Sequence, residues 1–406
     1  MYDVEAVRAH FPALVEGAAH FDSPGGSQVP DVVAAAVADT LTSAIANRGR
    51  VTTAERRAED IVTGARQAMA DLLGAQPAGV VFGRSMTQLT FDVSRALAKQ
   101  WGPGDEVVVT RLDHDANIRP WVHAAAAAGA TLRWADFDRN TGELPVESVA
   151  AVLSDRTRVV AVTGASNLLG TRPDIPAIAA AAHRVGALCY VDGVHLTPHA
   201  AVDIEALGAD FYVCSPYKFC GPHLGVLAGS PALLEQLHPD KLLPSSEAVP
   251  DRFEFGTLPY ELLAGTTAAV DFLAGLAPDE GSVSGEGSES SRATRLRESM
   301  AAVDRHESAM LDRLEAGLAG VEGLTRYSRA SRRTPLVLFS VRGHRPAEIY
   351  RQLAASKVNA PAGSFYAVEC ARWLGLGDEG AVRAGIAPYT NAQDIDRLVE
   401  AVADLA

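Results

Sequence analysis

Seven short apolar runs, separated by longer amphipathic stretches, constrain this chain more than any other feature. They are VVF (80–82), EVVVT (106–110), TLRWAD (131–136), RVVAVTG (158–164), ALCYVD (187–192), DFYVCS (210–215) and GVLAG (225–229). Most are apolar nearly throughout, which is the pattern of a strand covered on both faces. The stretches 54–73, 86–100, 116–129, 174–185 and 202–207 read as helices. Strands and helices in alternation predict an α/β fold with a parallel or mostly parallel sheet between helices. Ligand sites in such sheets lie beyond the carboxyl ends of the strands. Asp192, the segment Thr163 to Asn167, and Ser215 all stand at such ends.

The pattern changes at PDEGSVSGEGSESS (278–291), which has Gly, Ser and Glu but few core formers. Such composition reads as a linker. Beyond it the spacing predicts a long helix over 293–319, a strand over 335–341, and helices over 346–356 and 392–405. The expected organisation is a large domain over 21–277, a linker over 278–292, and a smaller α+β C-terminal domain over 293–406 with residues 1–20 packed on it.

Lys plus Arg is 36 and Asp plus Glu is 50, giving a formal charge of 36 − 50 = −14. So acidic a chain is a poor partner for nucleic acid or an anionic membrane. No apolar run reaches the roughly 18 residues needed to span a bilayer. The N-terminus, MYDVEAVRAHFPALVEG, lacks a basic stretch followed by an apolar one, so no signal peptide is read. The four cysteines, 189, 214, 220 and 370, form no CxxC and are expected reduced, in a cytoplasmic protein.

Two motifs mislead. VAVTGASNLLG (160–170) resembles a nucleotide-binding turn, but no tyrosine has the lysine four residues on that the corresponding dehydrogenases need. His195 and His199 in HLTPH are four apart, yet Pro198 between them spoils the helix that would align them on a metal. No metal is expected.

The chemistry concentrates in YVDGVHLTPH…ADFYVCSPYKFCGP. Asp192 ends an apolar strand, and Lys218 follows at 218 − 192 = 26 residues. That acid and that amine are what pyridoxal 5′-phosphate chemistry requires. The amine forms an imine with the aldehyde, and the carboxylate keeps the pyridine nitrogen protonated. A phosphate needs free N–H groups at a helix N-terminus. FGRSMTQLTF supplies one, with Ser85, Met86 and Thr87, and Ser215 and Tyr217 can add hydroxyls. His114 suits the flat face of the ring and Asn167 its phenolic oxygen. An amino acid carboxylate calls for a guanidinium fork, and Arg383 in AVRAGIAPYTN is the choice.

These segments together resemble the class V aminotransferases, specifically the cysteine desulfurase-like group of fold-type I pyridoxal phosphate enzymes. HFDSPGGSQVP resembles the family's N-terminal active-site loop and DHDANIRPW the segment whose histidine stacks on the cofactor. VDGVH matches the acid strand, with His195 where glutamine is usual. SPYKFCGP matches the lysine strand, with Tyr217 where histidine is usual. FEFGTLPYELLAG resembles the segment whose threonine, here Thr257, reaches the partner subunit's phosphate. The resemblance implies a homodimer with shared sites and an amino acid substrate. It also exposes a departure. Desulfurases carry a nucleophilic cysteine on the loop that here reads NAPAGSFYAVEC, where Tyr366 falls near that position and Cys370 lies about four residues later. The expected activity is therefore a lyase that eliminates a β- or γ-substituent from an L-amino acid, with Lys218 as base and Tyr366 near the leaving group. A desulfurase using Cys370 or a partner thiol, an aminotransferase or epimerase, and a non-catalytic sulfur-transfer scaffold are the alternatives.

Overall fold

The computed structural model describes residues 2–277 and 290–405. Its main sheet has seven strands: β1 (Val80–Gly83), β2 (Glu106–Thr110), β3 (Thr131–Ala135), β4 (Thr157–Thr163), β5 (Leu188–Asp192), β6 (Phe211–Cys214) and β7 (Gly225–Gly229). Their order is β1-β7-β6-β5-β4-β2-β3. All neighbours run parallel except β7, which is antiparallel to both β6 and β1. The exception has a chain-length cause. Residues 215–224 alone join β6 to β7, and a parallel crossover needs a dozen or more. Lys218 sits in this short connection.

The apolar runs are continuous because every strand but the edge strand β3, in which Thr131 and Arg133 are exposed, feeds two cores. In β4, Val160 and Val162 face one cluster while Val159 and Ala161 face the other. In β5, Cys189 and Val191 face the first and Tyr190 the second. Register then places the chemistry. Thr163 pairs with Asp192, and Asp192 with Val213, so the carboxyl ends of β4, β5 and β6 are level.

A second, antiparallel sheet contains β8 (Leu324–Arg326), β9 (Leu336–Val341), β10 (Ala362–Gly363) and β11 (Ala381–Gly385), ordered β10-β11-β9-β8. The helix Arg292–Leu318 turns Leu311, Leu314 and Leu318 onto its core, and the helix Ala392–Ala403 adds Ile395 and Leu398. The N-terminal segment reaches the same region. Ala19 and His20 pair with Val358 and Asn359, and the Tyr2 hydroxyl donates to the Pro388 carbonyl.

Two expected helices differ. Residues 202–207 form only turns: Asp203 caps the N–H groups of Glu205 and Ala206, and Gly208 follows in the left-handed region. The stretch 116–129 opens with a tight turn over Asp115–Asn117 and becomes a helix at Arg119–Ala128, with Pro120 in the first turn where its missing N–H costs nothing. Most of the expected linker, 278–289, lies outside the described residues.

Candidate active site

A cavity of about 590 Å³ opens at the carboxyl ends of β4, β5 and β6. Lys218 lies on its wall in the turn Pro216–Lys218, and its ammonium donates to the Pro24 carbonyl at 2.6 Å. Burial and, secondarily, the Arg383 charge push the amine down to about 7, with Asp192 opposing them. A substantial fraction is then the free base near neutral pH, the form that attacks an aldehyde or takes a proton. The chain has four lysines, 99, 218, 241 and 357, and Lys218 alone lines this cavity.

Asp192 ends β5 and is buried. Burial raises its carboxyl to about 6, against the Val194 N–H, which donates to Oδ1 at 3.0 Å, and the Lys218 charge. It remains mostly ionised at pH 7, and a cation beside it would hold it so. His114 caps the turn Asp115–Asn117: its Nδ1 accepts from the Ala116 N–H at 3.0 Å. That places the ring proton on Nε2. Burial, with Lys218 and Arg383 nearby, lowers His114 to about 4, so it presents a neutral ring. The Tyr366 ring lies 5.6 Å from it, tilted by 31°.

The helix Met86–Ala98 begins at the cavity, where Met86 and Thr87 line the wall. Ser85 caps it by accepting from the Gln88 N–H. The Met86 and Thr87 N–H groups have no partner in the helix, as at any helix start. β7 runs directly beneath this turn, and Gly225 makes that possible: a Cβ there would sit 2.6 Å from the Met86 nitrogen and overlap the Ser85 carbonyl. Tyr217 lines the wall, its ring stacked on His223 at 4.6 Å. The Ser215 hydroxyl is buried beside Lys218 without a partner.

Arg383, in β11, enters from the second sheet and is 2% exposed. Its Nη1 donates to the Asn167 carbonyl at 2.8 Å, and Nε has no partner. Burial lowers it to about 9, with Asp22 acting to raise it. The Asn167 amide donates to the Phe365 carbonyl at 2.9 Å and leaves Oδ1 unpartnered. The same amide nitrogen carries a second N–H, which is left for an oxygen in the cavity.

His195 lines the cavity and pairs through Nε2 with the Thr334 hydroxyl at 2.9 Å. Burial, followed by the charges of His199, Arg383 and Lys218, keeps it neutral. His199 instead pairs with buried Glu307 at 2.9 Å. Among the described residues no three His, Cys, Asp or Glu side chains assemble as a metal site. Thr257 is exposed and lies apart, on a second cavity of about 330 Å³ with Arg84, Gln88 and His223. Tyr366 is 74% exposed at the cavity mouth. Cys370 is 0% exposed within the helix Val368–Trp373, and burial raises its thiol well above the ordinary range. The other three cysteines are also buried.

The donor set fits pyridoxal phosphate. One buried amine, one acid level with it, a helix start and a neutral imidazole line one cavity, with an arginine opposite. Buried polar atoms of Ser215, Asn167 and Arg383 await partners. Sequence reasoning passed over Phe91, Arg119 and Phe365, which also line the cavity. All three had a signal: Phe91 lies on the same helix as Met86, Arg119 in the segment of His114, and Phe365 beside Tyr366.

The family profile described as Aminotransferase class-V matches residues 19–281 and 291–398. An aminotransferase-like protein of Gibberella zeae, FGM3, is 33% identical over 99% of this chain and 98% of its own. A probable cysteine desulfurase of Halalkalibacterium halodurans is 30% identical over 97% and 96%. Among solved structures, the cysteine desulfurase CsdA of Escherichia coli superposes with a TM-score of 0.85 at 26% identity, over 99% of this chain and 98% of its own.

Proposed function

We propose, on the premise that this chain belongs to the aminotransferase class-V family and is a fold-type I, pyridoxal 5′-phosphate-dependent enzyme, that it is a lyase. It eliminates a β- or γ-substituent from an L-amino acid, with no thiol of its own in the reaction. One observation carries the choice: every cysteine is buried in the core, and the loop of residues 359–367 presents Phe365 and Tyr366 to the cavity instead.

Bound pyridoxal phosphate supplies the aldehyde and the electron-accepting ring. Lys218 would hold the aldehyde and would serve as the base for the substrate α-proton. The free-base fraction that burial creates suits it to both tasks. Asp192 pairs with the ring nitrogen and keeps it positive. His114 would lie against the ring face, with its Nε2–H available to hydrogen-bond the leaving group. Met86 and Thr87 offer N–H groups to the phosphate, joined by the hydroxyls of Ser215 and Tyr217. His195 stands where a glutamine is usual, and Asn167 would serve the phenolic oxygen with the amide N–H that Phe365 leaves free. Arg383 orients the substrate by its carboxylate, and Tyr366 stands at the mouth, near the leaving group.

The same proposal includes a homodimer whose Thr257 completes the opposite phosphate site, supported by the exposure of Thr257 outside its own cavity. It also includes a large domain over 21–277 and a small one from 293, and a cytoplasmic location. Among the described residues no helix is long and apolar enough to cross a membrane. A second reading, favoured by the desulfurase relatives, passes sulfur to a thiol outside this chain. Incubating holo-protein with L-cysteine, L-cystine and other β- and γ-substituted amino acids separates the two. A keto acid with ammonia is expected; alanine from L-cysteine refutes elimination.

A further inference from the structure

The loop ahead of Cys370 is held more firmly than an unattached surface loop. Phe365 and Tyr366 both adopt the left-handed region, at φ 51° and 58°. Neither is glycine, so external contacts must hold the conformation. Two do so from the large sheet's side of the cavity. The Asn167 amide donates to the Phe365 carbonyl at 2.9 Å, and the Asp115 N–H donates to the Tyr366 carbonyl at 2.7 Å. The result lays the Phe365 ring against Arg383, whose guanidinium carbon is 3.7 Å from the ring centroid.

Asn167, Phe365 and Arg383 thereby form a closed triangle. Arg383 donates to the Asn167 carbonyl at 2.8 Å, Asn167 donates to Phe365, and the Phe365 ring covers one guanidinium face. Among the described residues Arg383 makes no ion pair. A buried guanidinium in that position has its tilt set by the ring below it and the single carbonyl at its edge. The aromatic face also attracts the charge, which an aliphatic side chain of similar size does not.

We propose that Phe365 is a positioning residue for Arg383: its ring holds the guanidinium in the plane from which the free edge meets a substrate carboxylate. The inference rests on the reading of Arg383 as the carboxylate anchor. It assigns to this loop, in place of a sulfur-carrying thiol, the task of setting carboxylate recognition.

Glycine and methylamine isolate the effect, because both amines react at the cofactor and only glycine carries a carboxylate. Holo-protein is titrated with each, and the visible absorbance change gives the half-saturating concentration. Phe365→Leu is expected to raise the glycine value about tenfold and to leave the methylamine value within about twofold. Phe365→Tyr keeps the aromatic face and is expected to retain wild-type values for both. Phe365 is half-buried, so the leucine variant does not open the core. Arg383→Lys, run alongside, is expected to raise the glycine value further still. If Phe365→Leu leaves glycine unchanged while Arg383→Lys weakens it, the positioning role is overturned and the anchor stands. Equal weakening toward glycine and methylamine in Phe365→Leu also overturns it. If Arg383→Lys leaves glycine unchanged, the anchor itself is wrong.

Discussion

Gly225→Ala tests the phosphate turn from underneath, without touching any group that meets the cofactor. Gly225 has no left-handed φ, so alanine fits the backbone there and only space decides the outcome. The new methyl would lie 2.6 Å from the Met86 nitrogen. It would lie closer still, 2.2 Å, to the Ser85 carbonyl carbon; an ordinary carbon–carbon contact is about 3.5 Å, so the turn must withdraw by roughly 1.3 Å, or β7 must sink by as much. Overpacking of this kind costs about 1–3 kcal/mol. If the turn yields, the Met86 and Thr87 N–H groups leave their places and the cost falls on phosphate binding. The cofactor dissociation constant then rises about 5- to 150-fold. The assay is equilibrium titration of apo-protein with pyridoxal phosphate, alongside thermal unfolding of the apo-protein. Gly64→Ala is the control: it lies within the helix Thr53–Leu73 and its added methyl meets nothing within 4 Å. That change is expected to stabilise by about 0.5–1 kcal/mol and to leave cofactor affinity alone. A Gly225→Ala protein that folds and binds cofactor as the wild type does refutes the placement of the phosphate.

Other outcomes follow from the same geometry. Lys218→Ala is expected to abolish turnover while an added amino acid still shifts the visible absorbance; retained turnover removes Lys218 as the base. Cys370→Ala is expected to leave kcat within about twofold, and a loss above about a hundredfold, roughly 2.7 kcal/mol, restores the thiol to the mechanism. Lys218 gives the apo-protein a contribution to stability that grows as pH rises from 7 toward 10, while the four buried thiols, which burial holds protonated in the folded state, oppose it above about 8.5. Lys218 in the folded state has shed its proton above about 7, whereas the unfolded lysine keeps it to about 10.4. At this site the unfolded state then binds more protons, which makes the lysine's own slope positive. Arg383, lowered to about 9, adds to the rise at the upper end. Thermal melts of apo Lys218→Met against wild type should show a flatter slope, by about 1–3 kcal/mol over that interval; parallel slopes contradict the burial of a neutral amine.

The main sheet was legible because six of its seven strands feed two cores and are apolar on both faces, so those runs stand out from their flanks, while the edge strand β3 shows instead as an alternation. The lysine turn was legible for a related reason. Only ten residues separate two such runs, and Lys218 is the one lysine among them. The segment 202–207 misled because a helical composition is not enough for a helix: one turn is closed by Asp203 at its start and Gly208 at its end. Arg383 was found through its motif, but its setting was not. The Phe365 ring, the Asn167 carbonyl and the Asp22 carboxylate come from three segments far apart in the chain, and no local pattern records their meeting. His195 is a similar case. Its position in VDGVH was plain, yet its partner Thr334 lies 139 residues away, on the segment leading into the second sheet.

The most direct test of the account is to reduce the holo-protein with borohydride, digest it, and locate the pyridoxyl group by mass spectrometry. The account predicts a single modified lysine, Lys218. Modification of Lys99, Lys241 or Lys357 instead, or of none, would contradict it, since the cavity, its acid and its arginine are all built around that one amine.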